Sequence, residues 1–179
     1  PGLARPRAEG GYEIIAGHRR KRGSERAGLD TMPVIVRDYT DDEATIIMVD
    51  SNIQREEILP SERAFSYNMK LKAIKNQGRR SDLTSVQIEQ KLDARKQVAM
   101  DAGESEAQVQ RYIRLTNLIT ELLDMTDAKK IAVNAAVELS YLKEKEQWEL
   151  LKELRESEAR ISLSQAKRIR KLSAEKMCT

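Results

Sequence analysis

The chain has 179 residues, 32 Lys and Arg against 29 Asp and Glu, and a formal net charge of +3; that length bounds it to one or two small domains. Aromatic residues make up 4%, which excludes a large aromatic core or a base-stacking single-strand platform. A lone Cys (Cys178) and a lone His (His18) exclude an internal disulfide and a His/Cys zinc site, no apolar run reaches membrane-spanning length, and the whole fits a reducing cytoplasm.

Residues 1–10 carry no hydrophobic pattern of their own and lead straight into a strand, as if earlier strands of the same sheet were missing. Residues 12–16 and 33–37 are short β-rich runs bounded by turn residues. Between them, residues 18–27 are highly charged and close at Gly28 as a helix C-cap would, giving a strand–helix–strand unit. Thr40 with Glu43 makes a capping box for a helix over 41–52, with Ala44, Ile47 and Met48 at helical spacing. Pro60 opens the next helix, whose body spans 62–76. A polar stretch, 77–85, reads as a linker, and everything beyond it is helical: a loose segment over 86–92, helices over 95–102 and 106–118, then further helices around 128–139, 143–160 and 164–172. In 143–160, Trp148, Leu151 and Leu154 fall on one stripe. The basic run Lys167-Arg168-Ile169-Arg170-Lys171 fits a contact with a nucleic-acid backbone and equally a frayed basic tail.

Two short segments suit a phosphate. In Gly17-His18-Arg19-Arg20 a strand runs through a Gly into a basic helix start, where free N–H groups and guanidinium forks favour an anion. In Ser51-Asn52-Ile53-Gln54-Arg55 a helix ends in an Asn-x-x-Arg cluster. A third segment, residues 98–113, has a helix-turn-helix pattern. Ala99 is small where two helices cross, Gly103 supplies the turn, Ser105 can N-cap the second helix, and Val109, Tyr112 and Ile113 face inward. The outward set is Glu106, Gln108, Gln110, Arg111 and Arg114, and Gln and Arg can read adenine and guanine edges or hold phosphates. An ordinary αα-hairpin with a solvated polar face fits the segment equally well.

Taken together, these motifs resemble the ParB-type partition proteins, the CTP-binding DNA clamps of chromosome and plasmid segregation. The resemblance runs from Gly11-Tyr12-Glu13-Ile14-Ile15-Ala16-Gly17-His18-Arg19-Arg20 through Ala27-Gly28-Leu29 and Val34-Ile35-Val36-Arg37. It continues in Asn52-Ile53-Gln54-Arg55-Glu56-Glu57-Ile58-Leu59-Pro60-Ser61-Glu62 and the helix-turn-helix, to about Leu142. It implies an α+β chain in three parts. Residues 1–76 would be an incomplete ParB/sulfiredoxin-like nucleotide-binding domain, 77–142 an all-α helix-turn-helix domain, and 143–179 a charged helical extension without a recognisable dimerisation domain.

The resemblance further implies that Gly17, Arg19 and Arg20 hold the triphosphate of CTP, with Asn52 and Arg55 meeting phosphates and Asn52 also the bound Mg²⁺. Ser105, Gln108, Gln110, Arg111 and Arg114 would meet the DNA. The implied protein is a homodimer in the cytoplasm, on the nucleoid. It reads a centromere-like palindrome in double-stranded DNA, closes as a sliding clamp on CTP and works with a ParA-type ATPase. The pattern departs from the family at His18 and Ser51, where the family carries Glu. Loss of two carboxylates near the phosphates weakens the case for CTP hydrolysis more than the case for binding. A ParB-like DNA-binding regulator of a mobile element, without nucleotide switching or hydrolysis, is the alternative. An enzyme of the same fold is disfavoured by the missing carboxylates and by the lack of a Cys near Gly17.

Overall fold

The computed structural model describes residues 1–53, 57–81, 87–157 and 160–175, with backbone alone for 78–81 and 87–93. The fold is α+β. β1 (Gly2–Pro6) is the central strand of a three-stranded sheet ordered β2-β1-β3. β2 (Tyr12–Ala16) pairs with it antiparallel, Leu3 opposite Ala16 and Pro6 opposite Tyr12. β3 (Val34–Val36) pairs in parallel with its other side. The β1–β2 hairpin turns at Gly10 and Gly11, both at positive φ, where the Arg7 N–H donates to the Gly11 carbonyl at 3.0 Å.

A strand at residues 2–6 replaces the patternless leader expected there. Its alternation is real but quiet: the buried positions are Gly2 and Ala4, too small to give hydrophobic contrast. Arg5, between Leu3 and the hairpin, spans Glu13 at 2.7 Å and Asp41 at 2.7 Å.

α1 (His18–Arg26) joins β2 to β3, the strand–helix–strand unit anticipated from composition. Gly28, at φ 69, ends the turn that follows it. α2 (Asp41–Ile53) starts with the expected capping box: the Thr40 N–H donates to Glu43 Oε2 at 2.8 Å and the Glu43 N–H to Thr40 Oγ1 at 3.3 Å. It packs on β2 and buries Ala44 and Val49. α3 (Pro60–Ser81) runs through residues 77–81, which were read as linker. α4 (Gln87–Ala102) is one helix where two segments were expected. Buried Lys70 on α3 pairs with Asp50 on α2, and Asn76 Nδ2 donates to Asp42 Oδ1 at 3.3 Å.

The chain divides into two compact units. The first comprises Pro1–Arg55 and Met69–Gln97, the second Glu56–Asn68 and Val98–Thr179. These differ from the boundaries expected at 76/77 and 142/143, because α3 and α4 each contribute to both units.

The second unit adds α5 (Glu106–Leu115), α6 (Thr120–Asp127), α7 (Val133–Leu139), α8 (Glu144–Ser157) and α9 (Leu163–Glu175). Its core joins Ala64, Leu115, Leu122, Ile131 and Leu139 to Leu151, Leu154, Ile161 and Ala166. The segment expected to be a charged extension is therefore part of this core. Trp148, placed on the apolar stripe of α8 by sequence, is 44% exposed, and Gln147 is buried in its stead. The Gln147 amide accepts from the Ile119 N–H at 2.8 Å and donates to the Asn117 and Leu142 carbonyls, each at 3.1 Å. One side chain thus satisfies backbone groups in the α5–α6 and α7–α8 connections. Among the described residues no helix is long and apolar enough to cross a membrane.

Candidate nucleotide turn and nucleic-acid interface

In the first unit, β2 ends at Ala16 and Gly17 turns the chain into α1 with φ 106 and ψ 15, a left-handed conformation that a side chain strains. A Cβ on Gly17 would meet the Gly2 Cα at 2.9 Å. The backbone of β1 therefore demands this glycine, independently of any ligand. Among the described residues no side chain caps α1, so the N–H groups of its first turn have no side-chain acceptor there. His18 and Arg19 are exposed at that end. Arg20 is exposed too, but its Nη1 donates to the Pro1 carbonyl, so one arm of its fork is committed to the start of the sheet.

Asn52 is half-buried in the last turn of α2 and Ser51 is exposed beside it. Because α2 packs on β2, Asn52 and the Gly17 turn belong to one unit. Arg55 lies outside the described residues. Asn52 offers a metal one amide oxygen. A magnesium ion there would draw its remaining ligands from phosphates and water, an arrangement common for this ion.

In the second unit, Val98 and Ala99 are buried at the end of α4. Gly103, at φ 65, makes the turn, and the Glu104 N–H closes it by donating to the Ala99 carbonyl at 3.0 Å. Ser105 is extended and accepts from the Gln108 N–H at 3.2 Å, capping α5. Val109 and Leu115 are buried, and Tyr112 meets Tyr67 edge to face with ring centroids 6.0 Å apart. Glu104 binds Arg63 of α3 at 2.9 Å, and Arg63 lies 5.2 Å from the Tyr112 ring centre. The turn is thereby anchored to α3. Burial first, and the Glu104 carboxylate second, push the Tyr67 hydroxyl up to about 12.

Of the residues expected to face outward, Gln110 and Arg111 are exposed, and Arg111 Nη1 donates to Gln108 Oε1 at 3.4 Å. Gln108 is half-buried, and the Ser105 hydroxyl is occupied by its cap. Arg114 departs from the expectation. It is half-buried, its Nη2 donates to the Ser140 carbonyl at 3.0 Å, and its guanidinium carbon lies 4.0 Å from the Tyr141 ring centre. The cause is tertiary: the end of α7 packs beside the last turn of α5, which periodicity within α5 cannot reveal. Arg63, Glu104, Tyr141 and Gln147 all escaped the sequence reading. The Arg63–Glu104, Arg114–Ser140 and Gln147–Ile119 bonds span 41, 26 and 28 residues of chain, so no local pattern marks them.

A profile of the ParB N-terminal domain matches residues 1–53. The chromosome-partitioning protein Spo0J of Thermus thermophilus is 31% identical over 176 residues, covering 98% of this chain and 58% of that protein. A probable chromosome-partitioning protein ParB of Pseudomonas putida is 36% identical over 118 residues, covering 66% of this chain and 35% of its own length. The chain thus spans between about a third and three fifths of the length of these curated relatives. Among solved structures, the C-terminally truncated chromosome-partitioning protein ParB from Caulobacter crescentus, complexed to the centromeric parS site, matches with a TM-score of 0.56 and 25% identity, covering 98% of this chain and 82% of that one. With a matching N-terminal domain at residues 1–53, relatives that share its sequence through the helical part, and a solved ParB of the same fold, the chain carries a ParB N-terminal domain and is similar along almost its whole length to ParB-type partition proteins.

Proposed function

We propose that this chain is the nucleotide- and DNA-binding portion of a partition protein that reads a centromere-like palindrome in double-stranded DNA. The observation that carries the reading is the helix-turn-helix of α4 and α5. Its turn is fixed by Gly103 and Glu104, and its second helix is capped by Ser105 with Gln110 and Arg111 exposed. A capped helix standing off a buried partner can enter a major groove, where Arg pairs with guanine and Gln with adenine. Gln108 and Ser105 would support that contact from the helix start, the latter through its cap. Arg114, bound to Ser140, would act at the edge of the interface. The homologous Caulobacter protein was solved on parS, which supports the same class of ligand here.

In the first unit, the uncapped start of α1 with exposed Arg19 suits the phosphates of CTP, with Arg20 contributing its remaining donors and Asn52 and Arg55 completing the set. Asn52 would hold Mg²⁺, whose charge would offset that of the phosphates. CTP would favour closure of two copies into a clamp that slides on DNA. A ParA-type ATPase would be the partner, and the setting the cytoplasmic nucleoid. A second reading, a DNA-binding regulator without nucleotide switching, is favoured by the exposed His18 and Ser51 where the family carries carboxylates.

Fluorescence anisotropy with a parS duplex and a scrambled duplex tests the leading reading. Arg111→Ala is expected to cost about 1–3 kcal/mol on parS and less on the scrambled duplex. No binding to either duplex at low salt would overturn it. Isothermal titration with CTP separates the two readings: parS affinity and residence on closed DNA that are indifferent to CTP would favour the regulator.

A further inference from the structure

We propose that the outer face of α9 is a second contact with the DNA backbone, joined to α5 through a stack of Arg114, Tyr141 and Arg170. The proposal rests on the DNA-binding reading above and assigns a partner surface outside the helix-turn-helix.

The basic run of α9 is not a frayed tail. Ala166 is fully buried, Ser173 is 9% exposed, and the helix packs along α7. The Ser173 hydroxyl donates to Glu146 Oε2 at 2.7 Å, which pins the last turn. With that face inward, Lys167, Arg168, Arg170 and Lys171 are all exposed. Glu175 is the only acid within the helix. Its contact with Lys171, at 3.8 Å between two exposed side chains, is a weak screened pair. Among the described residues neither Lys167 nor Arg168 has an ion-pair partner.

Arg170 links this face to α5. Its guanidinium carbon lies 3.6 Å from the Tyr141 ring centre, and that of Arg114 lies 4.0 Å from the same centre. Two guanidinium charges therefore share one ring, and among the described residues a single carboxylate, Glu138, pairs with Arg170 at 2.8 Å. Among the described residues Arg114 Nε is buried without an acceptor. The cluster keeps an excess positive charge at a ring that is 45% exposed. Arg114 stands three and four residues after Arg111 and Gln110, the spacing of side-chain neighbours along a helix. The positive surface is thus continuous from Gln110 and Arg111, through Arg114 and Tyr141, to Arg170, Lys167 and Lys171. A polyanion lying along α5 would extend over this strip, and the fork of an Arg held over a ring is pre-organised for phosphate oxygens.

The test is Lys167→Gln/Lys171→Gln, two exposed positions whose change leaves the core untouched, compared with Arg111→Ala and the unmodified chain. Affinity for parS and for a scrambled duplex is followed over a salt series. The double variant is expected to weaken both duplexes by the same factor and to flatten the dependence of log affinity on log salt by ~0.9 per lost contact. Arg111→Ala is expected to act mainly on parS. An unchanged slope and affinity for the double variant, with the unmodified chain still binding, would overturn the α9 contact and leave the DNA-binding reading standing. A loss confined to parS would also overturn it, because a backbone contact is blind to sequence. If the unmodified chain binds neither duplex, both readings fall together.

Discussion

Gly17 and Gly10 have nearly the same left-handed backbone, φ 106 and φ 92, but different surroundings. A Cβ on Gly10 meets nothing within 4 Å, whereas on Gly17 it meets the Gly2 backbone at 2.9 Å. Gly10→Ala should therefore cost only its dihedral strain, on the order of 1 kcal/mol, while Gly17→Ala adds a clash that only a shift of β1 can relieve. Urea denaturation of the two variants should rank them in that order, and equal costs would show that the sheet yields at Gly2. Tyr67 gives a pH prediction. Its hydroxyl ionises near the ordinary value of 10 when the chain is unfolded and near 12 when folded. Between those values the unfolded chain sheds the proton first, so stability present below pH 10 falls as pH rises toward 12. Tyr67→Phe should remove that alkaline fall, as followed by circular dichroism melts across this range.

At the scale of elements, sequence signals worked wherever a local hydrogen bond defines the structure. The Thr40–Glu43 capping box, the Ser105 cap and the Gly103 and Gly28 turns are all present as read, because each depends on residues within a few positions. They failed where the information is spread through space. β1 was invisible because Gly2 and Ala4 form its buried face. α3 continues through Gly78-Arg79-Arg80, a stretch whose polarity resembled a linker, since one Gly costs a long helix only about 1 kcal/mol. Trp148 and Gln147 exchanged roles because two backbone connections need an amide more than the core needs an indole. Gln147→Leu keeps the volume and removes every one of those bonds. It leaves the Ile119 N–H and the Asn117 and Leu142 carbonyls without that partner, so it should destabilise the second unit by about 1–3 kcal/mol for each group that water fails to reach. A thermal melt unchanged by the substitution would mean that water takes over all three bonds.

At the scale of the whole molecule, the candidate nucleotide turn and the candidate DNA interface lie in different compact units, so each can be damaged alone. The turn retains cations and a helix start while lacking carboxylates at positions 18 and 51. Binding a triphosphate needs the former. Activating water and holding Mg²⁺ firmly draw on the latter, and neither an exposed hydroxyl nor an imidazole is a hard anionic oxygen ligand. CTP should therefore bind with measurable heat while phosphate release stays at background. Arg19→Ala should weaken the nucleotide without altering affinity for a scrambled duplex, since α5 and α9 lie in the other unit. His18→Glu/Ser51→Glu separates the two demands. His18 and Ser51 are both exposed, so the new carboxylates meet no packing obstacle, and the one at position 18 falls in the first turn of α1, where the helix dipole favours negative charge. The double variant should bind CTP with a stronger dependence on Mg²⁺ and release phosphate above the level of the unmodified chain. Substantial phosphate release from the unmodified chain, abolished by Arg19→Ala, would show that turnover here needs neither carboxylate.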